Sequence, residues 1–305
     1  MPEIPAFPTF RRFTFDDQKW YDDYYSLFDP YADFSFGNLI VWLDYHDDLA
    51  VSQLNGCIVF QCTNIFMDKN NVITLIGKAN IATIETILAY QRAVGLAQCI
   101  SMVPEVAIER LSADNSRYLI REDRANYDYI FRSDHLADLR GGPLRQRRRE
   151  VHAFQKSYSL QSHVAAIDLG TKESVDAVVS QLHAWRNAYS DNDPERHEAK
   201  ALDRFFGICE CLPHKCCGLF INNILEGFIL YQLIPKSSTA IFNHIKVSHN
   251  YRYMESFLKN RLAQNVRTTQ IEYVNMEQDL GIPGLRRHKS LWKPTAYLRK
   301  YTIQA

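Results

Sequence analysis

Three polar residues at alternate positions, Asn275, Glu277 and Asp279, follow a stretch at 270–274 that reads as a strand. In α/β proteins the ends of strands are where ligands collect. A carboxylate there can take the proton of an attacking amine, which must be neutral to act as a nucleophile. Glu277 is the first candidate for that base, Asp279 the second, and Asn275 completes the group. The competing expectation is that the two acids only close the turn that follows.

Basic residues come in three places. Arg145, Arg147, Arg148 and Arg149 crowd one stretch, and a guanidinium pairs with phosphate in a fork geometry. On a helix these four cannot all face one way, so a solvated face with one or two ion pairs is the alternative. Arg252 sits at an expected helix start, where a fixed cation is unfavourable unless an anion joins it; a structural ion pair competes. Arg286, Arg287, His288, Lys289 and Lys293 form a third cluster, expected as a solvated helix face. Asp123 and Arg124 are expected to serve structure.

Cys209, Cys211, His214, Cys216 and Cys217 lack the paired spacing of common zinc sites, so buried thiols and no metal are expected. No nucleophile triad, phosphate loop or dinucleotide fingerprint is legible.

The elements that must position these groups follow from periodicity and punctuation. The first half reads as a helix at 15–28, a second helical segment at 34–45, and a hairpin turning on Asn55-Gly56. A strand at 72–76 and a helix from Ile81 to Val94 follow. The second half reads as helices at 172–189 and 199–211, strands at 218–221 and 224–234 around Asn222-Asn223, and a strand at 240–247. A helix at 252–264, the strand at 270–274, a helix at 284–289 and a strand at 296–301 complete it. Both halves repeat one order, which implies two related α/β domains, 1–139 and 140–305.

The chain has 305 residues, enough for two domains, with 35 basic and 35 acidic side chains. Zero net charge removes a global field for nucleic acid, so no DNA is expected and any anion site must be local. Seven scattered cysteines argue for reduced thiols and a cytoplasmic protein. No apolar run of about 18 residues is present, so no membrane span is expected.

The order helix, helix, hairpin, strand, helix, strand resembles the GNAT acyltransferase fold. In that fold backbone N–H groups at the start of the long helix hold a diphosphate. Here that junction is Val247 to Tyr253, so Arg252 and Tyr251, together with Arg147 and Arg148 of the arginine stretch, are expected as donor-binding residues. Three stretches carry a closer resemblance: Ser35 to Trp42, Tyr127 to Phe131, and the string Asn275-Met276-Glu277-Gln278-Asp279-Leu280-Gly281-Ile282-Pro283-Gly284-Leu285-Arg286. Together they resemble the bacterial proteins that share the C-terminal domain of phosphatidylglycerol lysyltransferase, themselves similar to Fem-type aminoacyltransferases. The resemblance implies an α/β fold of tandem GNAT-like domains with the working cleft in the second. It also implies a soluble transferase that moves an acyl or aminoacyl group to an amine or hydroxyl. The donor would be aminoacyl-tRNA or acyl-coenzyme A, with no tightly bound cofactor.

The chain departs from that family's pattern with Arg149 for an asparagine, Lys246-Val247 for Glu-Lys, Tyr253 for a glycine and Met276 for an arginine. The alternative expectation is therefore a non-catalytic binding or regulatory protein on the same scaffold.

Overall fold

A computed structural model describes residues 3–42, 49–64, 69–109, 111, 117–186 and 195–305. The first stretch forms strand β1 (Arg11–Arg12), helix α1 (Gln18–Tyr25) and helix α2 (Phe36–Val41). A three-residue turn at Phe15–Asp17 replaces the first turn of the helix expected at 15–28. The expected continuation of α2 to residue 45 falls outside the described residues. Ser35 caps α2 by accepting the Asn38 amide, satisfying one of the donors a helix start leaves open.

Strands β2 (Ala50–Leu54), β3 (Cys57–Asn64) and β4 (Lys69–Ile76) lead to α3 (Ile81–Ala93), β5 (Cys99–Pro104), α4 (Glu105–Ile108) and β6 (Leu119–Glu122). The β2–β3 turn uses Asn55 and Gly56 at φ 50° and 79°, the left-handed pair read from the sequence. Then come β7 (Asp128–Arg132), α5 (Ser133–Asp138), α6 (Arg145–Tyr158), β8 (Ser162–Ile167), α7 (Lys172–Arg186) and α8 (Glu195–Ile208). The chain finishes with β9 (Lys215–Ile221), β10 (Ile224–Ile234), β11 (Thr239–Val247), α9 (Met254–Arg267), β12 (Tyr273–Asn275), α10 (Pro283–Ser290), β13 (Ala296–Leu298) and β14 (Lys300–Gln304).

The chain is mixed α/β, with two seven-stranded sheets, β1-β2-β3-β4-β5-β14-β6 and β13-β7-β12-β11-β10-β9-β8. It divides into two compact units. Unit one comprises residues up to Asp128, then Gln278–Ile282 and Tyr297–Ala305; unit two comprises Tyr129–Glu277 and Pro283–Ala296. A division at 1–139 and 140–305 differs from this at both ends. The chain enters unit two at β7, and the expected single strand at 296–301 is two strands that join different sheets. Lys300 at the head of β14 decides the second point. It is fully buried in unit one, paired with Asp33 and with Asp128 at 2.8 Å. Burial opposes its charge, and the two carboxylates overcome that and hold its pKa above the usual lysine value.

In unit two a pair of parallel strands comes apart. Strands β11 and β12 run parallel from Thr239↔Tyr273 to Ile241↔Asn275, and the pairing stops there. β11 continues to Val247 while β12 ends, so the strands part at Asn275. On its other side β11 pairs antiparallel with β10, with an irregularity between Leu230↔His244 and Tyr231↔Phe242 that leaves Asn243 as an extra residue. Ala240, Phe242, Ile245 and Val247 pack into the core shared with α9. The bulge therefore turns Asn243, His244 and Lys246 to the opposite face of the sheet.

Candidate functional site

Of the residues singled out by sequence, Asn275 and Glu277 come together. Asn275 is fully buried at the end of β12, and its Oδ1 accepts the Glu277 amide at 2.7 Å. Glu277 has φ 56°, a left-handed conformation uncommon for a glutamate. Its half-buried carboxylate accepts the Asn243 side-chain amide at 3.0 Å, and Asn243 accepts Gln232 at 3.2 Å. Gln232, Asn243, Asn275 and Glu277 thus form one hydrogen-bonded group where β11 and β12 part.

Asp279 does not share it. It lies in unit one, fully buried, with its carboxylate on Arg124 at 3.0 Å and on the Gly281 amide at 2.9 Å. Arg124 stacks between Tyr127, 5.3 Å to the ring centre, and Tyr297 at 5.0 Å. Gly281 has φ 74°, which only a glycine takes without strain. Asp279 closes a turn and neutralises a stacked arginine, as the structural alternative for it expected.

The arginines of α6 diverge. Arg147 is buried, paired with Glu150 at 2.8 Å and stacked on Trp292 at 5.6 Å. Arg148 donates to the Leu139 carbonyl at 2.5 Å, closing the left-handed end of α5. The expected helix at 252–264 begins later, at Met254. Arg252 is exposed in the preceding turn and stacks on Tyr253 at 4.6 Å. Tyr251 lies edge-on to Tyr158, and its hydroxyl approaches Glu226 at 3.5 Å.

Tyr253 has φ 68°, so the backbone keeps the conformation a glycine would supply while the side chain does not. Carboxylates furnish the start of α9. Glu255 lies in its first turn, and Glu150 accepts the Ser256 hydroxyl at 2.7 Å. Burial alone would raise the Glu255 pKa, but Lys259 and His288 outweigh it and hold the group below the usual carboxylate range. Each of these carboxylates is itself paired, Glu255 with Lys259 and His288 and Glu150 with Arg147, so the charges at the start of α9 are met by side chains of the same unit.

A second polar group on the same sheet face was not read from the sequence. Glu198 of α8 bridges His244 Nδ1 at 2.9 Å and Lys246 Nζ at 2.7 Å. Lys246 Nζ lies 3.9 Å from the centre of the Trp185 ring. Burial opposes the Glu198 charge, and Lys246 and His244 overcome it, holding its pKa at about 2. His214, packed edge-on against Phe205, is buried with its Nδ1 unpartnered, and burial together with His244 lowers its pKa to about 3. Glu198 and Lys246 are 48 residues apart and a bulge sets the facing of His244, so no local pattern marks them.

All seven cysteines are free thiols, and among the described residues no three metal-binding side chains cluster. Nor is any described helix long and apolar enough to cross a membrane.

The family model described as phosphatidylglycerol lysyltransferase, C-terminal, matches residues 25–304. The chain belongs to that family. Among solved structures, a conserved protein of unknown function from Bacteroides thetaiotaomicron superposes with a TM-score of 0.83 at 21% identity, covering 96% of this chain and 98% of that one. The C-terminal domain assigned to a lysylphosphatidylglycerol synthetase from Agrobacterium fabrum follows at 0.64 and 12% identity, over 94% and 90%. FemX superposes at 0.55 and 10% identity, over 97% and 96%. These are likenesses of fold. No curated protein matches the chain in sequence. Family and fold together point to the aminoacyl and acyl transferases. In this member of the lysyltransferase C-terminal family, the string that carried the resemblance serves two units: Asn275 and Glu277 finish the parting strands of one, and Asp279 closes a turn in the other.

Proposed function

We propose that the chain transfers an aminoacyl group from aminoacyl-tRNA to an amine or hydroxyl acceptor, with the chemistry at Glu277 in unit two. The observation that carries this reading is the end of β11–β12 pairing at Asn275. Beside that point a carboxylate is held by Asn243 from one strand and by backbone geometry from the other. Glu277 accepts the proton of the attacking group; Asn243 and Asn275 fix its orientation, which is what general-base catalysis needs. Aminoacyl-tRNA is favoured over acyl-coenzyme A because Tyr253 stands at the start of α9 where a glycine would let the backbone approach a diphosphate.

The test is a thermal-shift and transfer assay with alanyl-, seryl- and lysyl-tRNA, each against deacylated tRNA and acetyl-coenzyme A. A donor raises Tm by mass action. A rise with aminoacyl-tRNA, and loss of transfer but not of binding in Glu277→Gln, support the reading. No shift with any aminoacyl-tRNA sinks it. A second reading, a non-catalytic binding protein, is favoured by the internal partners that occupy Arg147 and Arg148. Binding without transfer by the wild-type chain would select it.

A further inference from the structure

The Glu198–Lys246–Trp185 group has the chemistry of a cation-recognition site. An ammonium is bound best by an aromatic face and a carboxylate together, because the ring quadrupole and the anion both stabilise it and neither competes for the same side. Here the ammonium lies 3.9 Å from the Trp185 ring centre and 2.7 Å from Glu198 Oε2. The other carboxylate oxygen is held by His244 at 2.9 Å, which fixes the anion's orientation. Trp185 and Lys246 are each 7% exposed. Large apolar groups, including Phe205, Phe206, Phe228 and Leu230, are buried in the same unit, and Phe206 lies edge-on to Phe228. A buried ion pair is a poor source of stability beside an apolar filling of the same volume, so packing alone does not account for it. Its place on the fold does suggest a role. The bulge sends Asn243 and His244 to the same sheet face, so the cation site lies on the face that carries Asn243, the residue that holds Glu277.

We propose that Trp185 and Glu198 form a subsite for a primary ammonium group, and that Lys246 is its built-in occupant, closing it to cationic substrate side chains. The consequence for specificity rests on the transferase reading: the wild-type chain then transfers uncharged aminoacyl groups in preference to lysyl. The binding claim stands without that reading.

Lys246→Ala removes what n-propylammonium supplies, so the full-length variant is titrated with n-propylammonium and, as a neutral control, n-propanol. The expected result is a Tm rise of about 3 °C at roughly tenfold excess over the dissociation constant, with propylammonium alone. The rise is absent in the wild type and in Lys246→Ala/Glu198→Gln. Equal responses to the amine and the alcohol, or none to either, overturn the proposal. Should Lys246→Ala not fold unaided, it is refolded in each compound. Recovery in propylammonium alone supports the subsite, and failure to recover there overturns it. In transfer assays, a wild-type preference for lysyl-tRNA overturns the closed-subsite claim. Absence of transfer from every donor strikes the transferase reading only, because the titration decides the subsite separately.

Discussion

Asn243 donates its side-chain amide to the Glu277 carboxylate across 3.0 Å, from the bulged residue of β11 to the left-handed residue beyond β12. Each end of this bond sits where regular pairing fails, so the bond exists only because both irregularities are kept. Removing the carboxylate charge in Glu277→Gln is expected to lower transfer by roughly 10²- to 10⁴-fold, the usual yield of a general base. Tm should change little, because the amide keeps an acceptor for Asn243. Single-turnover rates beside a melting curve check both halves.

Asp279 and Arg124 give the opposite expectation. Arg124→Ala removes a charged hydrogen-bond donor from a fully buried carboxylate, a change that costs about 1–3 kcal/mol. Urea unfolding should show that loss. A variant that keeps wild-type stability would contradict the placement of Asp279 as a structural group.

His214 sets an acid limit on unit two. Its folded pKa of about 3 lies below the ordinary histidine value, because burial disfavours the charged ring. Between that ordinary value and pH 3 the unfolded chain binds the extra proton. This contribution to stability is therefore present above about pH 6.5 and is lost as pH falls, with a slope approaching about 1.4 kcal/mol per pH unit. His214→Phe should flatten the fall in Tm between pH 6.5 and 4. An unchanged pH profile would remove His214 as its source.

Glu198 acts in a lower window. Its pKa, held at about 2, lies below the unfolded value, so its stabilisation is complete above that unfolded value and disappears as pH falls toward 2. Glu198→Gln should be less stable than wild type at pH 7 and should converge on it as pH falls to about 2. Parallel curves over that range would count against the ion pairs with Lys246 and His244.

Tyr253 tests backbone strain. A bulky residue at φ 68° costs about 1 kcal/mol, and a β-branched one costs more. Stability should fall from Tyr253→Asn to Tyr253→Val, with wild type between them or equal to the asparagine variant. The reverse order would show that ring packing outweighs the backbone.

Much of the architecture was legible because its signals are local. Asn55-Gly56 and Asn222-Asn223 take the left-handed conformations their residue types invite, and the hairpins form around them. The apolar spacing in α3 puts Ile84, Ile87 and Leu88 in the core. The strand expected at 270–274 is instead Tyr273–Asn275, because Gln270 turns left-handed before it. Asn275 and Glu277 were legible through one long string, yet the same string led Asp279 into the site, since spacing along the chain does not reveal that the two units divide between Glu277 and Gln278. Gln232, Asn243, Glu198 and His244 left no trace. Their meeting depends on a bulge and on strands distant in sequence, and neither has a residue-type signature as strong as Asn-Gly.

Strand β14 lies between β5 and β6, inside the sheet of unit one. A ribosome makes residues 297–305 only after every residue of unit two has been synthesised. Unit two can therefore complete its sheet core while unit one still lacks an interior strand and the lysine that neutralises Asp33 and Asp128. The half that is begun first is finished last, and a chain that stalls before residue 300 would carry a formed second unit beside a first one open along β5.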